Sequence, residues 1–445
     1  MAMAMSCMRA LVISILLLAS IRLPMVTAAV SEEAPPGGYQ FELIHVDAHG
    51  NFTREELIHR ALSRAHLRAA MLSGAKDKDV DANSAAVSGS FSVPVQYSPK
   101  TYMMELKLGS TVPETTMLAV ADTGSDLIWT NQLKECIGNP SFTPTNMSCA
   151  EACSAVKKQC TTCMFDKTYG GGTITVLTGT ETVAMTTGAG TTKKKEVALA
   201  CAIDWTKKML PVAAHGIVGL SRGPMSLVKQ LGVTEFSYCL RDPLNSSMRS
   251  PLWFGGNAQS AAGGKDGWRT TPLVEISTEH SKLPEWAKND YYVELDQICI
   301  NGKCSGQLPQ QDFSLKPSHG GKGLMLVDSG STYMHLDTNI FEALKSVMRE
   351  ALGVNVVTKV ITKGKSEMNC FDETPTSKPD LVLKFPKADM SIPWASYVEK
   401  GEHGFCLYIL KGTSILGNFQ QHNVSMLYDL DKKELSFKRV EDCTA

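Results

Sequence analysis

From about residue 90 onward, apolar residues recur in short runs, many alternating with polar ones, and Gly, Thr, Ser and Asn interrupt them. A period of two marks a half-buried strand, so the pattern predicts an all-β body of many short strands. The run Tyr291-Tyr-Val-Glu-Leu-Asp-Gln-Ile298 alternates most clearly, and Asn301-Gly302 just beyond it is a hairpin-turn dipeptide. Asn339 to Leu352 carries a helical period instead.

The first 88 residues follow other patterns. Arg9 precedes an apolar run from Leu11 to Ile21, and Val26-Thr27-Ala28 supplies small residues for cleavage, the layout of a secretory signal over 1–28. Crossing a bilayer needs about 20 apolar residues, and Arg22 ends this run short of that, which disfavours a membrane anchor. Residues 29–88 open with Pro-Pro-Gly-Gly and give one helical pattern from Thr53 to about Leu72, with Arg60, Arg64 and Arg68 on one face. A small, polar link follows, the kind of segment where processing occurs. This stretch reads as a removable propeptide whose arginine face lies near an acidic cleft.

The body repeats itself. Leu118-Ala-Val-Ala-Asp122-Thr123-Gly124-Ser125 is matched by Met325-Leu-Val-Asp328-Ser329-Gly330-Ser331, and Ile217-Val-Gly219 by Ile415-Leu-Gly417, at offsets of 206 and 198 residues. Two features repeated in order at nearly one offset predict two related lobes, 89–272 and 273–445. Each motif is an apolar strand running into Asp-Thr/Ser-Gly-Ser. Glycine permits a sharp turn and close backbone approach, Thr123 and Ser329 can hydrogen-bond across to the partner loop, and Ser125 and Ser331 can bond the carboxylates. If the lobes are related by a pseudo-twofold axis, Asp122 and Asp328 meet in the cleft. Two carboxylates about 3 Å apart cannot both ionise and so share one proton, an arrangement for which aspartic proteases are the standard example. Such a pair can activate water without metal, cofactor or covalent intermediate.

Bulk composition adds the compartment. The 445 residues exceed what one core usually serves, which agrees with two lobes. A formal net charge of −1 gives no argument for nucleic acid or an anionic membrane as partner. Of 13 cysteines, Cys7 falls in the signal, and the twelve left fit an oxidising compartment. Asn51, Asn146, Asn245 and Asn423 begin Asn-x-Ser/Thr glycosylation triplets.

These segments together resemble the pepsin-like aspartic proteases, in the nepenthesin-type branch found in plants. The resemblance runs from Phe41-Glu-Leu-Ile-His45 to Glu441-Asp-Cys443 and rests on Ala121–Trp129, Leu326–Ser331, Phe236-Ser-Tyr-Cys-Leu240 and Ser414–Gln421. It implies a bilobal acid protease fold, protein or peptide substrates, and secretion to the apoplast, with the vacuole as the alternative. The expected form is a monomer, kept latent by its own propeptide. It also implies that Tyr169 and Gly170 sit on a flap hairpin and that Trp129 hydrogen-bonds the flap tyrosine hydroxyl. Nested bridges Cys149–Cys163 and Cys153–Cys160 follow from it; Cys370–Cys406 and Cys299–Cys304 are added, and Cys136–Cys201 with Cys239–Cys443 complete the count. The chain departs from the family's usual pattern at Thr130-Asn-Gln132, Gly171, Thr173, His215, Ser221 and Ser331, none of which removes a catalytic group.

Three rival readings remain. Gly219-Leu-Ser221-Arg-Gly223 fits the Gly-x-Ser-x-Gly nucleophile elbow, with His319 or His403 to complete a triad, but that fold needs alternating helices and parallel strands. The cysteine cluster from Cys149 to Cys163 is also compatible with zinc or redox chemistry, which secretion disfavours. A binding or inhibitor protein of the same fold is the third reading.

Overall fold

The two strands that carry the repeated motif lie at corresponding positions in the two lobes of the computed structural model. The structure describes residues 38–46, 56, 61–62, 102–109, 114–132, 143–144, 164–169, 172–187, 189–205, 214–242, 249–256, 258, 266–276, 288–306, 308, 323–360 and 367–443. All of them belong to the unit Ala34–Ala445. Strand Gly323–Asp328 is buried at every position and Thr115–Asp122 from Ala119 onward, as their nearly continuous apolar sequences require.

Each strand pairs in parallel with the second element of its repeat. Asp122 stands opposite Gly219, and Asp328 opposite Gly417. Those elements in turn pair antiparallel with the strand that follows each motif, Ile128–Thr130 in one lobe and Met334–Leu336 in the other. The same three-strand arrangement therefore occurs twice. Glycine at the end of each second element has a steric cause. A Cβ on Gly219 would stand 2.3 Å from the carbonyl carbon of Asp126, and one on Gly417 2.5 Å from the carbonyl oxygen of Tyr333.

With these six included, the strands among the described residues form a 14-stranded, a five-stranded and two four-stranded sheets, so the all-β, bilobal expectation holds. The largest sheet takes in the C-terminal strands Val424–Asp429 and Glu434–Arg439, with Phe236 and Tyr428 stacked 4.4 Å apart where they meet the first lobe. Asn301 and Gly302 form a two-residue hairpin turn with φ of 49° and 74°, the left-handed pair that this turn demands. The main helix is Thr338–Leu352, capped by the Asp337 side chain on the Asn339 N–H and closed by Gly353 at φ 69°. Its buried face, Ile340, Phe341, Leu344, Val347, Met348 and Leu352, is the apolar stripe that its period predicts.

Disulfides Cys239–Cys443, Cys299–Cys304 and Cys370–Cys406 are formed, and Cys201 is disulfide-bonded as well. Cys136, Cys149, Cys153, Cys160 and Cys163 lie outside the described residues, as do the segment read as a signal and Asn51, Asn146 and Asn245. Asn423 is half-buried at φ 56°. No helix among the described residues is long and apolar enough to cross a membrane.

The segment read as a propeptide contributes Tyr39, Phe41, Leu43, Ala61 and Leu62 to the core. Tyr39–His45 is a strand of the largest sheet, between Ser250–Phe254 and Tyr102–Leu108, and Phe41 meets Phe254 edge-on at 5.6 Å. Glu56, Ala61 and Leu62 are helical, and Leu62 is wholly buried in a cluster with Tyr333, Tyr408 and Leu410. Arg60, Arg64 and Arg68 lie outside the described residues.

Candidate active site

Both motif aspartates are the last residue of their strand, and both are 0% exposed. The loop that follows each is tied to the opposite motif by two hydrogen bonds between the loops and two from a loop hydroxyl to the opposite strand. The Thr123 N–H donates to Ser329 Oγ at 3.0 Å, and the Ser329 N–H donates to Thr123 Oγ1 at 2.9 Å. The same hydroxyls then donate onward, Thr123 to the Val327 carbonyl at 3.1 Å and Ser329 to the Ala121 carbonyl at 2.9 Å. A hydroxyl offers one donor and two acceptor positions, which is why Thr and Ser suit this crossing and Val or Ala would not.

Each carboxylate also takes two hydrogen bonds from its own loop. Asp122 accepts from the Gly124 N–H at 3.3 Å and from the Ser125 hydroxyl. Asp328 accepts from the Gly330 N–H and the Ser331 hydroxyl, both at 2.7 Å. The carboxylates converge. A Cβ on Gly330 would fall 2.1 Å from Asp122 Oδ1 and 3.0 Å from Asp328 Oδ1, so glycine is required for the two oxygens to share that space. Two acids fixed by opposite lobes and facing each other can divide the tasks of base and acid on one water.

Hairpin Met164–Tyr169 with Gly172–Thr187 brings Tyr169 back to Trp129. Both rings are buried, 6.1 Å apart and tilted by 42°. The indole was expected to hydrogen-bond the tyrosine hydroxyl. Instead Trp129 Nε1 has no hydrogen bond among the described residues, and the two side chains are held by ring packing within an apolar cluster that includes Phe165 and Ile174. Gly170 and Gly171, at the hairpin tip, lie outside the described residues.

Ser221, the serine of the rival nucleophile motif, is wholly buried, and its hydroxyl accepts from the Gly223 N–H at 3.3 Å. Its own N–H donates to the Ser125 carbonyl at 3.0 Å, so this loop braces the first aspartate loop. His215, where the family more often has a small or acidic residue, takes the Leu118 N–H on Nδ1 at 3.1 Å and joins the same strand framework.

Several supporting residues carried no assigned role in the sequence. Asn418 fastens the second aspartate loop, its N–H donating to the Ser331 carbonyl at 2.8 Å and Nδ2 to the Ser329 carbonyl at 2.9 Å. Gln420 accepts from the Met334 N–H, and Gln421 accepts from the Tyr238 hydroxyl at 2.6 Å. The segment Ser414–Gln421 was visible as a motif; which of its polar atoms face the site depends on a short helical turn at Asn418–Gln421.

Residues 102–256 match the family model described as Xylanase inhibitor N-terminal, and 290–439 match Xylanase inhibitor C-terminal. Aspartic proteinase nepenthesin-1 of Nepenthes gracilis is 29% identical over 434 residues, covering 91% of this chain and 90% of that protein. Aspartyl protease family protein 2 of Arabidopsis thaliana is 30% identical over 364 residues, covering 74% of this chain and 69% of that protein. Among solved structures, basic 7S globulin from soybean aligns with a TM-score of 0.59 at 18% identity, over 77% of this chain and 95% of that one. An aspartic proteinase from Irpex lacteus aligns with 0.53 at 15%, over 77% and 95%. At those identities the solved structures speak for the fold alone. With two aspartate loops locked together across two related lobes and relatives of this kind matched over most of the chain, the chain belongs to the pepsin-like aspartic protease family, in its nepenthesin-type plant branch.

Proposed function

We propose that the chain is a secreted aspartic endopeptidase, made as a zymogen, that hydrolyses peptide bonds in acid with Asp122 and Asp328. The observation that carries this reading is the convergence of both carboxylates on the space left by Gly330, with each loop fixed by the other's hydroxyl. The pair holds one proton between them. The ionised member takes a proton from water as it attacks the scissile carbonyl; the protonated member supports the developing oxyanion, and a proton passes to the leaving amine. Tyr169 and Trp129 form the wall of the flap that covers bound peptide and limits solvent.

The zymogen part of the reading is supported by the N-terminal segment. Leu62 packs beside Tyr333, five residues beyond Asp328, and Tyr39–His45 fills a place within the largest sheet. In this reading 1–28 is the signal, 29–88 the propeptide, and 89–272 with 273–445 the two catalytic lobes. The buried strand at 39–45 then has to be retained or replaced when the propeptide is cut, because its loss would expose Phe254 and the edge of Tyr102–Leu108.

Digestion of a denatured protein from pH 2 to 8 by purified processed protein, with and without pepstatin, tests the proposal. Pepstatin-sensitive cleavage confined to acid supports it. A second reading, a binding or inhibitor protein, is favoured by the descriptions of the matching family models, which name xylanase inhibitors. Correctly folded, processed protein that cleaves nothing would move the assignment there.

A further inference from the structure

The first aspartate loop holds a second buried acid with no part in the dyad. Asp126, four residues after Asp122, is 7% exposed and forms an ion pair at 3.2 Å with the ammonium of Lys167, itself 8% exposed. Lys167 belongs to the flap strand Met164–Tyr169, where it pairs with Ile174. Along that strand Met164 and Asp166 are exposed while Phe165, Lys167 and Tyr169 are buried, so Lys167 shares the inward face with Tyr169. A lysine on that face is out of place among aromatic and aliphatic neighbours unless its charge is matched.

Asp126 is built to be the fixed member. A Cβ on Gly223 would stand 2.5 Å from Asp126 Cβ and 2.7 Å from its Oδ2, so the loop after Gly219 leaves room for this carboxylate and for little else. The Gly219 N–H donates to the Leu127 carbonyl at 3.1 Å and the Leu220 N–H to the Asp122 carbonyl at 2.9 Å, holding the surrounding backbone. The flap hairpin thus meets the first aspartate loop through a charge-assisted hydrogen bond from Lys167 to Asp126, and the strand that follows the loop through apolar packing that includes the Tyr169–Trp129 ring contact.

We infer that the Asp126–Lys167 pair is a latch that sets where the flap rests over the dyad, with Lys167 a positioning residue for peptide binding. The inference rests on the proposed peptidase function for its kinetic consequence, but the latch itself does not. An aliphatic side chain at 167 would fill the same space without fixing the strand's position, since packing has no direction and an ion pair at 3.2 Å has one.

The test uses the full processed chain and the double variant Asp126→Asn with Lys167→Met, which leaves no lone buried charge, beside Lys167→Arg, which keeps the pair. Hydrogen exchange should quicken about tenfold in the double variant at 164–169 and 172–177 while 115–130 stays as in the wild type, and Lys167→Arg should stay near the wild type. With a long peptide substrate, KM should rise about tenfold in the double variant with kcat changed less than about twofold. Unchanged exchange in the hairpin, or faster exchange spread evenly through the lobe, overturns the latch, the second result reducing the pair to a general stabiliser. An unchanged KM in a cleaving enzyme overturns the positioning role. If even the wild type cleaves nothing, the exchange result still decides the latch, and the peptidase reading fails separately.

Discussion

His422 should make the protein less stable in acid, by an amount that follows from its surroundings. The ring is 8% exposed and lies against Phe419 and Tyr102, with centroids 4.9 and 6.1 Å away. The Tyr102 hydroxyl donates to the Arg241 carbonyl at 2.6 Å, so at 2.9 Å from His422 Nε2 it accepts, and the imidazole donates as a neutral ring. Burial pulls the His422 pKa from 6.5 down to about 4, against the weaker opposing pull of Asp242. The unfolded chain therefore takes up a proton near pH 6.5, whereas the folded chain resists until about pH 4. Between those values the unfolded state binds more protons, so the stability contribution is complete above pH 6.5 and is lost as pH falls through 4. The difference is worth about 3 kcal/mol at 1.36 kcal/mol for each tenfold step. His422→Gln, which retains a donor, should lower stability by about 1 kcal/mol at pH 7 through poorer hydrogen bonding and packing. Between pH 7 and pH 4, urea unfolding should show the wild type losing about 3 kcal/mol more than the variant. Identical pH dependence in the two proteins would refute the reasoning, because every other titrating group is common to both.

Two further outcomes are expected from the same framework. Ser329→Ala strands the buried Thr123 N–H and the Ala121 carbonyl and should cost about 2–3 kcal/mol in chemical denaturation, with activity falling alongside. Replacing Cys239 and Cys443 with serine releases a link across 204 residues and should lower stability by about 2–5 kcal/mol, read without reductant as a lower urea midpoint than that of the wild type.

Much of the framework was legible because it depends on local rules. Period-two alternation marked the strands, the helix at Thr338–Leu352 showed its stripe, and Asn301-Gly302 declared its turn. The internal repeat went further: its second element, Ile217-Val-Gly219 and Ile415-Leu-Gly417, is in each lobe the strand paired in parallel with the aspartate strand. What stayed hidden depended on contacts distant in sequence. Tyr39–His45 alternates like any strand, but nothing local says that it lies between Ser250–Phe254 and Tyr102–Leu108. Lys167 looks like an ordinary surface lysine until the chain brings it to Asp126, 41 residues away. The Trp129–Tyr169 contact was expected as a hydrogen bond and is a ring contact, because orientation within an aromatic cluster is set by all its neighbours together.

The central claim is that one acid from each lobe acts on the same water, and substituting each acid in turn tests it most directly. Processed wild type, Asp122→Asn and Asp328→Asn, each first shown to be folded by circular dichroism, would be compared in cleavage of one peptide at pH 3.5. Loss of about 10²–10⁴-fold in rate is predicted for both variants, with neither more than marginally active. Cleavage retained by either variant, or absent from the folded wild type, would contradict it.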